Sequence, residues 1–127
     1  MTQQTKFAVR KFSGVTDRMS RFVKVATFRQ LRPQTGLTVE VEGRVIALFL
    51  HEGKPYAIDE HCPHAGGPLG AGFVIDGTVM CPWHGWRFSV VDGTWVDAPR
   101  SKLCVECYKV EQQGEDLLID AYWLPDA

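Results

Sequence analysis

The 127-residue chain lacks a long hydrophobic run and a strong excess of either sign of charge. Its longest uninterrupted apolar stretch is residues 45–50. A membrane-spanning helix needs roughly 20 such residues. The first 20 residues also lack an apolar segment resembling the core of a secretory signal. These absences predict a soluble, cytoplasmic protein with no membrane partner.

Basic residues are not gathered into a tight cluster, although the charge is unevenly distributed. Residues 1–33 hold eight Lys or Arg and one acid, whereas residues 34–127 hold six basic and fourteen acidic residues, and the net charge is −1. Phosphate-binding patches are usually compact Lys/Arg runs. We therefore expect no nucleic-acid partner, and an acidic body that carries a basic N-terminal segment.

Signals for long helices are scarce, and turn dipeptides are frequent. A chain of this length with 45% hydrophobic residues can build one ordinary core. We expect a basic extension over residues 1–18 and one domain over 19–127, and the regular turns favour an all-β sandwich or barrel. The turn signals are Glu42-Gly43, Glu52-Gly53, Asp76-Gly77 and Asp92-Gly93.

Short apolar segments between these turns predict the strands. One helical turn is expected within residues 26–31, because the residue before Pro33 is pushed out of helical geometry. Residues 103–110 and 117–121 are predicted to form a closing antiparallel pair. The other predicted strands are 22–28, 37–41, 45–50, 56–59, 73–75, 79–80, 88–91 and 94–96.

The four cysteines do not follow the pattern of a secreted disulfide protein. Cys62 and Cys81 each precede a proline, and each is closely followed by a histidine, His64 or His84. Structural zinc sites usually bring ligands in close Cys pairs and close His pairs, whereas here Cys and His alternate. The pattern favours a metal centre with two thiolates and two imidazoles, with zinc and unligated core residues as less favoured alternatives.

The two segments resemble the loops of Rieske ferredoxins, in which Cys-x-His is followed after about sixteen residues by Cys-x-x-His. The resemblance covers residues 62–70 and 81–88 and extends through the strand pattern from about residue 21 to 121. It implies one [2Fe–2S] cluster, with Cys62 and Cys81 on a buried iron and His64 and His84 on an iron near the surface. It also implies a Rieske-like antiparallel β-sandwich with a small cluster-binding subdomain formed by loops 61–70 and 81–88.

Several residues near these ligands are expected to tune or shield the cluster. The glycines should allow close backbone approach and point N–H groups at sulfur. Trp83, Trp86 and Trp95 are expected to shield the cluster, and Trp86 is expected to influence it most. The segment 97–99 resembles the family's proline-containing loop over the cluster. The predicted surrounding residues are Gly66, Gly67, Trp83, Gly85, Trp86, Phe88 and Pro99.

This chain departs from the high-potential Rieske proteins of respiratory complexes, which resemble it in their ligands. Gly67 and Trp83 stand where those proteins have disulfide cysteines, and Trp86 and Phe88 stand where they have hydroxyl donors. Without such donors, the reduction potential should lie toward the low end of the Rieske range. This matches the low-potential ferredoxins that feed oxygenases.

The remaining cysteines and histidines are interpreted as ordinary residues. Cys104 and Cys107 in a strand would point to opposite faces about 10 Å apart, beyond the limit of about 7 Å for a disulfide. His51 is expected to be solvated, and His61 to be a plain loop residue. The sequence contains no recognisable nucleophile–base pair, phosphate-binding glycine loop or facial iron triad.

The leading functional hypothesis is a monomeric, non-catalytic carrier of single electrons. It would take electrons from a flavoprotein reductase and pass them to a terminal oxygenase, docking through acids near the histidines. Asp59, Glu60 and Asp97 are the candidate acids. Two alternatives stay open: a small Rieske subunit of a larger oxidoreductase, such as one resembling assimilatory nitrite reductase, and a redox-sensing binding module.

Overall fold

A computed structural model describes residues 21–121, and over this range the chain forms an all-β fold. Two single-turn 3₁₀ helices, Phe28–Gln30 and Leu69–Ala71, interrupt the strands. The predicted fold class is therefore confirmed. The strands are β1 (Phe22–Thr27), β2 (Leu37–Val41), β3 (Arg44–His51), β4 (Lys54–Asp59), β5 (Phe73–Ile75), β6 (Thr78–Met80), β7 (Arg87–Ser89), β8 (Cys107–Tyr108), β9 (Val110–Gln113) and β10 (Asp116–Asp120).

The strands form three antiparallel sheets. One has the order β2-β3-β4-β8, the second β1-β10-β9, and the third β5-β6-β7. The third sheet is built from strands of only three residues and carries the segment from 81 to 86 between β6 and β7. Of the two predicted ligand loops, this sheet contains only the second, and loop 61–70 lies outside its strands.

Three hairpins form at the predicted turn dipeptides 42–43, 52–53 and 76–77. Glu42 and Gly43 adopt φ values of 51° and 86°, and the other two pairs are also positive at both positions. Positive φ at both central residues defines the two-residue turn whose twist matches that of the flanking strands. These hairpin predictions are confirmed.

Strand β3 is buried on both of its faces. Ala47 and Phe49 point toward the core that contains Cys62 and Cys81, whereas Ile46 and Leu48 belong to a second core with residues of β10. Alternate residues of a strand point to opposite faces. A strand covered on both sides needs apolar residues at every position, which explains the continuous apolar run at 45–50.

The region after β7 differs from the prediction. Residues 90–91 lie in a turn, and residues 94–96 form only isolated bridges, Phe88 with Trp95 and Thr94 with Cys104. The prediction of a continuous strand over 103–110 is also wrong. The chain leaves one sheet and enters another at Lys109, so β8 pairs with β4 and β9 pairs with β10.

The basic residues at 21–33 belong to the fold and not to a separate segment. Lys24 Nζ lies 3.1 Å from Asp116 Oδ1, and Arg29 Nε lies 3.6 Å from Glu115 Oε1. Residues 21–121 contain ten basic and thirteen acidic residues, a net charge of −3. The predicted extension at 1–18 and its boundary lie outside the described residues. Within the described range, the chain forms no helix with the length and hydropathy needed to cross a membrane.

Candidate metal centre

The two predicted ligand loops share one backbone conformation. In the first, the N–H of Cys62 donates to the carbonyl of Gly67 at 2.9 Å, and the N–H of Gly66 donates to the carbonyl of Cys62 at 2.7 Å. In the second, Cys81 donates to Trp86 at 2.7 Å, and Gly85 donates to Cys81 at 2.9 Å. Each loop is thus closed by paired hydrogen bonds on its own cysteine.

This pattern corrects the expected role of two glycines. Gly66 and Gly85 have φ values of 80° and 78°, a region that glycine enters without steric cost. Their N–H groups donate to cysteine carbonyls and not to sulfur. The backbone donors that reach the Cys62 sulfur belong to His64 and Ala65.

Cys62 and Cys81 are buried side by side, with exposed fractions of 2% and 1%. Burial raises the pKa of the Cys62 thiol, and the neighbouring Cys81 adds to this increase, while the N–H groups of His64 and Ala65 offset part of it. Metal ligands must be deprotonated, so metal binding releases the thiol protons. The pair therefore offers two sulfur ligands at a buried site from which water is excluded.

The two histidines lie beside each other but differ in exposure. The His64 and His84 ring centroids are 4.6 Å apart with an interplanar angle of 73°. His84 is exposed, whereas His64 is half-buried and its Nδ1 is buried with no hydrogen-bond partner in the described structure. Buried polar atoms normally have partners, so this unpartnered nitrogen fits a metal bond.

Each of the two loops supplies one cysteine and one histidine. In a mixed Cys₂His₂ [2Fe–2S] centre each iron takes only two side chains. Two Cys and two His supplied by paired loops therefore fit such a centre.

Trp86 is in direct contact with a predicted ligand. Its ring stacks on His64 at 4.2 Å with an interplanar angle of 12°, and on Trp95 at 4.1 Å with an angle of 3°. Trp83, which was also expected to shield the cluster, is 56% exposed. Trp95 was expected, like Trp83 and Trp86, to shield the cluster, but its stacking on Trp86 was not predicted, because nothing local places residue 95 against residue 86.

Phe88 and Pro99 occupy different environments. Phe88 is fully buried in the same core as Cys62 and Cys81. Pro99 lies on the surface, and the preceding segment is attached to β7 by the N–H of Val96, which donates to the Arg87 carbonyl at 2.9 Å, and by an Arg87–Asp97 ion pair.

Cys104 and Cys107 are free thiols, as predicted, but they do not lie in one strand as the prediction assumed. Cys104 lies outside the strands, and Cys107 begins β8. Partial burial, with the nearby Asp92 and Cys104, raises the pKa of Cys107 to about 11. Its sulfur lies 3.8 Å from the Val105 carbonyl oxygen.

The expectation that His51 is solvated is wrong. Its side chain is only 19% exposed. Its ring centroid lies 6.4 Å from that of Tyr56, and it packs against Gly77 of the β5–β6 turn. His61 is exposed, in agreement with a plain loop residue.

The prediction that Glu60 is a docking acid is wrong, because this residue is buried, with 7% exposure. Its carboxylate accepts hydrogen bonds from Thr38 Oγ1 at 3.1 Å and from the N–H of Gly70 at 3.0 Å. It therefore ties β2 to the end of the first ligand loop. Asp59 is half-buried near Arg44, and Asp97 is exposed in its ion pair with Arg87.

The structure shows a small β protein in which two paired loops each present one cysteine and one histidine. The family model of the Rieske [2Fe–2S] domain matches residues 21–109, and the chain belongs to this family. It carries one [2Fe–2S] cluster.

Known relatives include both small ferredoxins and large oxygenases. The ferredoxin component of the naphthalene 1,2-dioxygenase system of Pseudomonas aeruginosa is 36% identical over 84 residues, covering 66% of this chain and 80% of that protein. Chloroplastic chlorophyllide a oxygenase of Chlamydomonas reinhardtii is 34% identical over 110 residues, covering 80% of this chain but only 17% of that protein.

A solved structure has the same fold, and the match covers nearly the whole of that protein. The ferredoxin of carbazole 1,9a-dioxygenase from Nocardioides aromaticivorans IC177 superimposes with a TM-score of 0.69 at 30% identity. The match covers 78% of this chain and 96% of that one.

Proposed function

We propose that the protein is a one-electron carrier in which Cys62 and Cys81 hold one iron and His64 and His84 hold the other. The observation that carries this proposal is the meeting of two equivalent loops, each with one buried cysteine and one histidine next to the other loop's histidine. The unpartnered Nδ1 of His64 supports the ligand set.

When bound, the [2Fe–2S] cluster supplies one-electron redox chemistry. The buried cysteines would keep water away from the iron that they hold, and the exposed His84 would hold the other iron on the solvent side. Because neutral imidazoles replace two anionic thiolates, the centre is less negative and easier to reduce than an all-cysteine cluster. His84 and the neighbouring exposed Trp83 would form the surface through which electrons enter and leave.

The proposed partners are a flavoprotein reductase and a terminal oxygenase. The support is that the naphthalene and carbazole dioxygenase systems contain ferredoxins similar to this chain in sequence or structure. We further propose that the carrier is monomeric and cytoplasmic, and that residues 1–18 form an extension to the domain. Size-exclusion chromatography should give a monomer, whereas a stable complex with a larger oxidoreductase would indicate a subunit role.

A low reduction potential follows from the environment of the sulfurs. None of the hydroxyl hydrogen bonds seen among residues 21–121 ends on Cys62 or Cys81. Such bonds would stabilise the reduced cluster. Voltammetry near neutral pH should give a value of about −150 mV, at the low end of the Rieske range, and a value near +300 mV would contradict this account.

Ligand substitution tests the proposed site. The wild-type protein should contain about two irons and two acid-labile sulfides per chain, as a [2Fe–2S] cluster requires. Cys62→Ala and Cys81→Ala should lose the visible absorption of the cluster. Cys104→Ala and Cys107→Ala are matched controls that should keep it. Zinc as the dominant metal in iron-sufficient wild-type protein, or cluster loss in either control, would refute the assignment.

A further inference from the structure

Trp86 lies between two other rings in a continuous stack. The centroid distances are 4.2 Å to His64 and 4.1 Å to Trp95, and the interplanar angles are 12° and 3°. The three planes are therefore almost parallel. A tilt of any one ring would require its neighbours to move, because closely packed interiors leave little free volume.

Trp95 is fixed by its backbone rather than by its side-chain nitrogen. The segment 94–96 runs antiparallel to β7: the N–H of Ser89 donates to the Thr94 carbonyl at 2.9 Å, and the N–H of Val96 donates to the Arg87 carbonyl at 2.9 Å. Trp95 itself forms an isolated bridge with Phe88. Its indole ring is thereby held at a defined distance from the second ligand loop.

The indole nitrogen of Trp95 does not hold the ring in this position. Nε1 is buried and has no hydrogen-bond partner among the described residues. Buried tryptophans usually satisfy this N–H. The face of the ring, and not its donor, is the feature that contacts Trp86.

The two proposed histidine ligands are held differently. His64 has Trp86 against its ring face and also makes a T-shaped contact with His84. For His84, the one ring contact recorded in the described structure is with His64, and the residue is exposed. The His64 imidazole is therefore held by the ring stack, whereas the His84 imidazole is exposed and accessible to a partner protein.

We propose that Trp95 is a positioning residue that acts through Trp86 to fix the ring plane of His64, one of the two proposed histidine ligands. This inference rests on the proposed ligand set. The plane of an imidazole determines the direction of its nitrogen lone pair, and outer groups that orient a ligand are known to tune metal centres. The stack thus makes the two histidines inequivalent.

The test compares Trp95→Leu with Trp95→Phe in the cluster-loaded protein. Phenylalanine keeps an aromatic face against Trp86 and removes only a donor that has no partner, so it is the conservative variant. Pulsed EPR of the reduced cluster measures the ¹⁴N couplings of the bound imidazoles. Trp95→Leu should shift the coupling of one imidazole and leave the other unchanged, and Trp95→Phe should resemble the wild type.

A control separates positioning from loss of stability. Ile119→Val removes volume from the second core, whose residues include neither tryptophan of the stack, so it should lower the unfolding midpoint and leave both ¹⁴N couplings unchanged. Wild-type couplings in folded Trp95→Leu, or equal shifts in Ile119→Val, would overturn the positioning role.

A second variant keeps the proposal testable if Trp95→Leu does not retain a cluster. Trp86→Phe keeps an aromatic residue at the centre of the stack but reduces its overlap with both neighbours, and it should shift the same single coupling. Unchanged couplings would contradict the proposal. Absence of nitrogen coupling or of iron in the wild type would instead refute the ligand set itself.

Discussion

An ideal Cβ added to Gly67 would lie 2.6 Å from the Sγ of Cys81. The same atom would lie 3.1 Å from the ring of Trp83. Real Cβ atoms do not approach another atom as closely as 2.6 Å, and the contact with Trp83 would also be tight, so a side chain at position 67 would require the Cys81 sulfur to move. Gly67 and Trp83 are also the positions compared with the disulfide cysteines of high-potential Rieske proteins, and the structure places them in contact.

We therefore expect Gly67→Ala to impair cluster binding. The added methyl group must displace the Cys81 sulfur, and sulfur displacement weakens iron ligation. Iron and acid-labile sulfide per chain, together with visible absorption, should fall well below the wild-type values. Gly43→Ala is the control: its Cβ meets nothing within 4 Å, but its φ of +86° is unfavourable for alanine. It should cost about 1–2 kcal/mol of stability and retain full iron, so equal iron content in both variants would contradict the prediction.

The sequence predicted features that depend on local chemistry. The hairpins at 42–43 and 76–77 followed from turn dipeptides that accept positive φ, and the pairing of Cys and His in each loop followed from their spacing. Features that depend on distant contacts were not predicted. The sheet change at Lys109 and the stacking of Trp95 on Trp86 join residues whose local patterns give no sign of each other.

The burial of Glu60 also depends on distant contacts, with Thr38 and Gly70, and was not predicted. These contacts should contribute to stability. Glu60→Ala leaves the buried N–H of Gly70 and the hydroxyl of Thr38 without this acceptor, which should cost about 1–3 kcal/mol. Glu60→Gln keeps an oxygen acceptor and should cost less. Urea unfolding of the cluster-loaded protein measures both. Glu52→Ala, whose side chain is 81% exposed, is the control that should change little; equal effects of Glu60→Ala and Glu52→Ala would argue against the buried tie.

Alkylation of Cys107 should depend steeply on pH. The thiolate is the reactive form, and partial burial raises the pKa of this thiol to about 11 from an ordinary value of 9.0. At pH 8, the thiolate fraction of Cys107 should be about a hundred times smaller than that of a thiol with the ordinary pKa. Because a more basic thiolate is also a stronger nucleophile, the reaction with iodoacetamide should be about tenfold slower, and it should accelerate about tenfold per pH step until pH approaches 11. Mass spectrometry of peptides from the intact protein provides the rate, with glutathione as the reference thiol. A rate at pH 8 equal to that of glutathione would show that the thiol is not protected.

The docking hypothesis now depends on Asp97, because Glu60 is buried and Asp59 is half-buried beside Arg44. Complementary charge speeds association at low salt, and screening acts over about 8 Å at physiological ionic strength. Electron-transfer rates with a reductase or oxygenase partner should therefore fall as salt rises, and Asp97→Asn should weaken this dependence. Glu115→Gln is a matched control, since Glu115 is also an exposed acid in an ion pair, with Arg29, beside the sheet that does not carry the ligand loops. Stopped-flow measurements over a salt series compare the slopes. If the Glu115 variant changes the slope as much as the Asp97 variant does, the whole molecule's charge guides association and no acid near the histidines is special.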